Sequence, residues 1–351
     1  MTRPLISFVL VCYKQEQFVR EAIAGAFAQT YSPLEIILSD DCSPDGTFAV
    51  MEEMAKAYRG PHRVVLNRNP KNLGMIGHIN RVVELAQGEF IVPGAGDDIS
   101  LPNRTETVVR LWQQSGGRAK SIYSDVIALQ QDGDREYHFV PHPEQNGLEH
   151  QLRTGFCNVL GASQCYHRSL FDFFGPIPAT VAEEDHVLPF RAALLGEVVY
   201  CPEVLLKYRV HVGNVSQSGE RRADITAEWS ALVKLLTRNK LPWLAAFRED
   251  LATARRKGAL TDAQFAAHHA VVERRIAFDR ASLVWLTGSF TQRMKAALTL
   301  CRLKDADCFL SSNAVYLLGV GAWPGLGKVW EWMKARRGKC FPAKTSANFC
   351  F

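Results

Sequence analysis

Phe90-Ile-Val-Pro-Gly-Ala-Gly-Asp-Asp98 is the stretch on which the fold turns. Phe90–Val92 is a short apolar run of the kind that forms a strand buried on both faces. It stops in glycines, which permit close backbone approach, and then in two adjacent carboxylates. The same grammar occurs upstream. Leu5–Val11 is a continuous branched apolar run, and Glu35–Leu38 and Val64–Leu66 are shorter ones. Between them Phe18, Ala22, Ile23, Ala26 and Phe27 recur at helical spacing until Pro33. Ser43-Pro44-Asp45-Gly46 is turn chemistry opening a helix to Tyr58, and Ile79–Leu85 is helical again. Strand and helix alternate four times before residue 111. That rhythm predicts βαβ units and a parallel sheet, with ligands at the carboxyl ends of the strands. Cys12-Tyr13, Asp40-Asp41 and Asp97-Asp98 all fall there.

Beyond residue 111 the rhythm changes. Ser121–Tyr123, Tyr137–Val140, Gly161–His167 and Val198–Cys201 read as strands, with a turn at Asp132-Gly133. Asp185–Leu195 reads as a helix, and from residue 217 the pattern is helical. The expected organisation is an α/β domain over 1–216, with a nucleotide-binding half (1–110) and an acceptor half (111–216), followed by a helical extension over 217–351. Charge divides at the same place. Residues 1–216 hold 19 basic and 25 acidic groups, whereas 217–351 hold 22 and 11. The nine cysteines show no C-x-x-C or other zinc spacing. Without an evident secretion signal they fit a reducing, cytoplasmic setting. No stretch reaches the ~18 apolar residues a spanning helix needs.

Four polar clusters carry the candidate chemistry. Asp97-Asp98 repel each other unless a cation compensates, and a hard divalent ion shared with substrate phosphates fits; two turn-closing aspartates before Pro102 are the plainer alternative. Asp40-Asp41 either accept an N–H from a base or close the turn with Ser43. Glu183-Glu184-Asp185 either complement a helix dipole or form a general base raised by crowding. In extended chain Arg209 and His211 project to one side, suited to neutralising a leaving diphosphate, or lie on an ordinary loop. There is no Walker A, HExxH or GxSxG sequence.

Together these segments resemble the inverting family 2 glycosyltransferases of GT-A fold, from Ile6 to Ser216. The resemblance rests on Val9–Tyr13 with Gln29-Thr30-Tyr31; Glu35–Ser43; Asn72-Leu73-Gly74 with Asn80, Ala86 and Gly88; Gly96-Asp97-Asp98 with Pro102; and later Glu184-Asp185 and Tyr208–His211. It implies a Rossmann-like, mostly parallel sheet flanked by helices. It further implies that Val11, Tyr13 and Asp41 hold the nucleoside of a nucleoside-diphosphate sugar, with Tyr13 under the base. Asp97 would touch ribose or metal, and Asp98 would ligate Mn²⁺ or Mg²⁺ with His211 and Arg209 near the diphosphate. Asp185 would be the catalytic base, with Glu184 beside it. The family often has D-x-D-D where this chain has Ala95-Gly96-Asp97-Asp98, and Asn where it has Lys14. The expected activity is transfer of a sugar, from UDP or a similar carrier, to a glycan or lipid-linked acceptor in cell-surface polysaccharide or glycolipid synthesis. A sugar nucleotidyltransferase would need a Gly-rich basic loop after the first strand, which Cys12–Gln15 lacks. A degenerate, non-catalytic nucleotide-sugar binder is the other alternative. Phe309–Trp323 and the Trp- and Lys/Arg-bearing Lys328–Lys339 suit the cytoplasmic face of an anionic membrane rather than nucleic acid, or form an ordinary basic helical subdomain packed on the core.

Overall fold

The computed structural model describes residues 3–130, 136–139, 143, 146–211 and 233–303. The expected turn at Asp132-Gly133, Asn214, Ser216 and everything beyond Leu303 lie outside the described residues. The first strands and helices fall where the apolar periods place them: β1 (Ile6–Cys12), α1 (Val19–Phe27), β2 (Leu34–Asp40), α2 (Thr47–Ala57), β3 (Arg63–Arg68), α3 (Gly74–Leu85) and β4 (Phe90–Ala95). A two-residue β5 (Ile99–Ser100) and α4 (Arg104–Gln114) follow. The later part holds β6 (Ala119–Gln130), β7 (Glu136–Phe139), α5 (Leu148–Thr154), β8 (Cys165–His167), α6 (Ser169–Phe174), α7 (Val187–Leu195) and β9 (Glu197–Val210).

The strands form one sheet in the order β3-β2-β1-β4-β8-β6-β9-β5, with β7 paired to β6. β3, β2, β1 and β4 are mutually parallel, as expected. The remainder is mixed. β8 runs antiparallel to both β4 and β6, while β6 and β9 are parallel to each other. Only Cys165–His167 of the expected strand Gly161–His167 forms a strand, because Gly161–Ser163 is a 3₁₀ turn. The helix expected from Asp185 begins at Val187, leaving Asp185 on the preceding loop.

Period-two alternation sorts the sheet faces. Ile6, Phe8, Leu10 and Cys12 of β1 and Leu34, Ile36 and Leu38 of β2 join one core with α1, Met51 of α2 and Val108 and Val109 of α4. Ser39 points to the other face, where its Oγ meets His78 Nε2 of α3 at 2.7 Å. A buried polar clasp holds the edge of this layer. Glu35, 1% exposed, accepts from Ser7 Oγ at 2.5 Å and from the Gln87 amide at 2.6 Å, and Ser7 Oγ accepts the Gly88 N–H at 2.8 Å. Gly88 is thereby pressed onto β1.

The chain divides into two compact units, Met1–Val212 with Ala245–His269, and Gly213–Leu244 with Ala270–Phe351. Residues 245–269, read from the sequence as part of the extension, thus group with the α/β unit. Inside that unit Arg191 of α7 forms a two-pronged pair with Asp250 at 2.9 and 3.1 Å, and Phe190 stacks on Phe247 at 3.8 Å. In the second unit Leu236, Phe278, Ala281, Trp285, Leu286, Ala296 and Leu300 form a separate apolar cluster. Its last described helix, Phe290–Arg302, starts with a Ser289/Gln292 capping box.

A methyl group on Gly88 would lie 2.4 Å from the Ser7 amide nitrogen and 2.6 Å from the Ile6 carbonyl carbon, backbone atoms that cannot rotate away. Gly88→Ala is expected to destabilise the α/β unit by about 3 kcal/mol, the upper range of overpacking costs. Urea unfolding measures it; an unchanged midpoint would contradict this packing.

Candidate functional site

The sheet order reverses between β1 and β4, the place where parallel α/β sheets open a crevice. Register puts the strand ends level there: Cys12 beside Asp40, and Val11 beside Ala95. Val11 is half-buried at the end of β1. Tyr13, 40% exposed, stands at the mouth, with the Lys14 ammonium 5.2 Å from its ring centre. Lys14 adopts left-handed backbone (φ 57°), and its N–H donates to Ser43 Oγ at 2.9 Å. Gly96 closes the other wall. Its N–H donates to the Val11 carbonyl at 3.1 Å, and a methyl there would fall 2.5 Å from Cys12 Sγ.

Asp40 and Asp41 are both buried, and both hold loops. Asp40 Oδ2 accepts the Ser43 N–H at 3.0 Å and pairs with Arg68 at 3.4 Å, while its Oδ1 is buried without a hydrogen bond. Asp41 receives Asn69 Nδ2 at 2.8 Å, the Leu73 N–H at 2.9 and 3.1 Å, and the Gly74 N–H at 3.0 Å. Both its oxygens are therefore filled by the Asn69–Gly74 loop and the first turn of α3, where a carboxylate also complements the helix dipole. The sequence reading gives Asp41 to the nucleoside. In the structure its carboxylate receives three N–H donors of the Asn69–Gly74 segment, the Leu73 N–H being shared between its two oxygens.

The second pair divides its labour. A tight turn runs from Ala95 to Asp98, and β5 then pairs antiparallel with β9 through Ile99–Lys207 and Ser100–Leu206. Arg209 and His211 are carried back over the turn. The Arg209 N–H donates to Asp98 Oδ1 at 2.9 Å, and Arg209 Nε donates to the Asp97 carbonyl at 3.0 Å. His211 Nε2 lies 3.0 Å from Asp97 Oδ2. Asp98 is 3% exposed, and burial, then the neighbouring Asp97, push its carboxyl well above the ordinary range against the pull of the Arg209 amide and Arg104. The Asp97 side chain is 14% exposed and faces the imidazole. Where the sequence expectation makes Asp98 the metal ligand, the structure buries it as the tie to β9 and presents Asp97 with His211.

These two groups suit a divalent cation. One carboxylate oxygen and one imidazole nitrogen converge, and among the described residues no three His, Cys, Asp or Glu side chains gather into a ready cage. Mn²⁺ or Mg²⁺ commonly takes one or two protein ligands and completes its shell with phosphate oxygens and water. Arg209 is already engaged. Its guanidinium pairs with Glu21 at 2.9 Å and lies 4.9 Å from the Phe18 ring centre, and Phe18 also contacts the His211 ring at 4.8 Å.

Glu184 and Asp185 lie on the loop before α7. Gly161 permits the 3₁₀ turn to rest on them, since a methyl there would sit 3.0 Å from Glu184 Oε1 and 3.1 Å from Asp185 Cβ. Burial, then Glu184 and Glu183, push the Asp185 carboxyl well above its usual value; burial, then Glu183, raise that of Glu184. Arg104 joins the two acidic regions. Fully buried, it donates to Ser100 Oγ at 2.8 Å beside the Asp98 turn and to the Ala162 carbonyl at 3.1 Å on the 3₁₀ turn. Its sequence context, Asn-Arg-Thr-Glu at a helix start, reads as solvent-facing and gives no sign of this. Two side chains that sequence order places in the acceptor half are scaffold. Gln164 is buried and donates to Ser121 Oγ at 2.8 Å. His167 packs on Trp112 at 5.3 Å and Phe90 at 5.9 Å, and its burial, with Lys120 nearby, lowers its pKa to about 4.

Comparison with known proteins gives the following. Residues 7–174 match the family Glycosyl transferase family 2. An uncharacterised protein of Mycobacterium tuberculosis is 28% identical over 215 residues, covering 61% of this chain and 61% of its own length. An uncharacterised glycosyltransferase of Haemophilus influenzae is 27% identical over 241 residues, covering 64% of this chain and 71% of its own. Among solved structures, residues 1–349 of S. aureus TarS, in complex with UDP, align over 85% of this chain and 80% of that one, with TM-score 0.54 and 14% identity. That likeness is one of fold.

Proposed function

The segment 7–174 belongs to glycosyl transferase family 2, and from that premise we propose that this chain transfers a sugar from a nucleoside-diphosphate donor, UDP-linked or similar, to an acceptor hydroxyl with inversion. The observation that carries the reading is the meeting of Asp97 and His211 at 3.0 Å at the carboxyl end of β4, where the sheet order reverses. Tyr13, with its exposed ring, lies under the base. Val11 and the loop fixed by Asp41 wall the nucleoside, and Asp97 and His211 are the metal-holding pair. When bound there, Mn²⁺ or Mg²⁺ supplies positive charge that makes the diphosphate a better leaving group. Asp185, with Glu184 beside it, takes the proton of the acceptor hydroxyl. The acceptor oxygen forms its bond to the anomeric carbon on the face opposite the diphosphate. The bond to the phosphate oxygen breaks, and its electron pair leaves with the nucleoside diphosphate. No carboxylic acid is needed on the leaving oxygen, unlike glycoside hydrolysis.

The proposed acceptor is a glycan or lipid-linked glycan, and the proposed location is the cytoplasmic face of a membrane. Phe309–Trp323 and Lys328–Lys339 lie outside the described residues, but the helix Phe290–Arg302 supports the same location. Phe290, Met294 and Leu298 are 76%, 43% and 61% exposed at successive i, i+4 positions. Lys295 and Arg302 flank them on the helix, and no Asp or Glu occurs between Gly288 and Leu303. An exposed apolar stripe edged with cations suits an anionic interface. No helix among the described residues is long and apolar enough to cross a membrane.

Three expected outcomes test this reading. With a panel of nucleotide sugars and Mn²⁺, Asp185→Asn should bind donor within about threefold of wild type and lose transfer by about 10³-fold, within the range for a removed general base. Because burial and Glu184 raise the Asp185 carboxyl, kcat/KM of wild type should already fall on acidification at a pH above the ordinary carboxylate value of about 4. Retained turnover in Asp185→Asn would remove it as the base. Separately, wild type should sediment with phosphatidylglycerol-containing vesicles at low salt, and Phe290→Ser with Leu298→Ser should sediment several-fold less. No sedimentation of wild type would refute the membrane location.

A further inference from the structure

Gly155, in left-handed backbone (φ 64°), ends α5 and starts a segment that runs past Asp185. Burial alternates along it as along a strand. Cys157 and Val159 join an apolar cluster with Tyr123, while Phe156, Asn158 and Leu160 are half-buried. Two points of the segment touch Asp185. The Cys157 thiol donates to the Asp185 carbonyl oxygen at 2.8 Å, and a methyl on Gly161 would lie 3.1 Å from Asp185 Cβ. Asn158 stands between these two points, one residue from the first. Phe156, on the other side of Cys157, rests its ring on the imidazole of the residue after Asp185, with centres 4.9 Å apart.

The main chain at Asn158 is held by another asparagine. Its N–H donates to Asn146 Oδ1 at 2.6 Å, and Asn146 Nδ2 donates to its carbonyl at 3.2 Å. Asn146 is itself buried and fixed. Its Nδ2 also donates to the Tyr123 hydroxyl at 2.7 Å, and its carbonyl accepts from Gln151 Nε2 at 2.8 Å. A loop asparagine ordinarily spends its side chain on nearby backbone. Here Thr154 does so, its Oγ1 accepting the Phe156 N–H at 3.1 Å. The Asn158 side-chain amide makes no hydrogen bond among the described residues, and its polar atoms are not shut away from solvent. The fold therefore fixes the backbone of Asn158 and leaves its amide unspent beside Asp185.

A side-chain amide offers one carbonyl acceptor and two N–H donors, which matches neighbouring hydroxyls of a sugar ring. An adjoining aromatic ring offers apolar surface to the C–H groups of the same ring. Resting on the reading of Asp185 as the base, we infer that Asn158 and Phe156 form the acceptor subsite, and that it takes a hexopyranose. The Asn158 amide hydrogen-bonds ring hydroxyls of the acceptor, the Phe156 ring meets its C–H surface, and a further hydroxyl is thereby presented to Asp185.

The test uses the full chain with Mn²⁺, a donor found active in the panel, and octyl hexopyranosides with their monodeoxy analogues as acceptors. Asn158→Ala should raise KM for the parent acceptor about tenfold, the scale of a lost neutral hydrogen bond or two. Donor KM and the slow hydrolysis of donor by water should stay within about threefold, because neither uses the subsite. Against the analogue lacking the hydroxyl that Asn158 binds, variant and wild type should agree within about twofold. Asn158→Leu, of similar size without polar atoms, should repeat these results, and decides the matter if the alanine variant does not fold. Phe156→Leu should raise acceptor KM several-fold, and Phe156→Tyr should not. An unchanged acceptor KM in the Asn158 variants, a rise of equal size with every deoxy analogue, or a wild type that accepts none of the hexopyranosides would overturn the inference. If Asp185→Asn is inactive while the Asn158 variants keep their acceptor KM, only the inference falls; if Asp185→Asn is active, the reading beneath it falls.

Discussion

The hydrogen bond from the Arg209 amide to the buried carboxyl of Asp98 organises the site. It joins the turn after β4 to the far end of β9, two elements more than a hundred residues apart in sequence. A buried acceptor left without its donor costs roughly 1–3 kcal/mol, so β9 is held to the turn rather than merely near it. Once Arg209 is fixed, its Nε reaches the Asp97 carbonyl, and His211, two residues on, arrives at the Asp97 carboxylate. Glu21 and Phe18 of the α1 region secure the same arginine from the other side. One carboxyl thereby ties the turn to β9 while its neighbour faces the imidazole.

Burial does different things to the acidic clusters. At Asp98 it acts on a group that faces a backbone amide, and the outcome is a structural tie. At Asp185 it acts with two adjacent glutamates on a group whose Oδ1 has no hydrogen bond, and the outcome is a basic carboxylate suited to accept a proton. Arg104 spans the two through Ser100 and the Ala162 carbonyl, so the turn after β4 and the 3₁₀ turn beside Asp185 share one buried cation.

Much of the fold is legible in the sequence because the first four strands are unbroken apolar runs closed by turn residues, and those signals are local. The carboxyl-end positions of Asp41, Asp97 and Asp98 follow from the same pattern. What is not legible is which partner each member of an acidic pair holds. Adjacent residues share composition and register, and only β9 and the Asn69–Gly74 loop decide between them. The mixed second half of the sheet is hidden for a related reason. β5 and β8 span two and three residues, too few for a period to show, and are held by distant partners. Arg104 and Asp250 resemble surface charges in sequence and become buried through tertiary contacts.

Calorimetric titration of Mn²⁺ in the presence of UDP separates the two aspartates most directly. Asp97→Asn should lose the Mn²⁺-dependent part of UDP binding, and Asp98→Asn, which keeps an oxygen for the Arg209 amide, should retain it within a few-fold. Retention in Asp97→Asn together with loss in Asp98→Asn would contradict the division of labour on which the site is built.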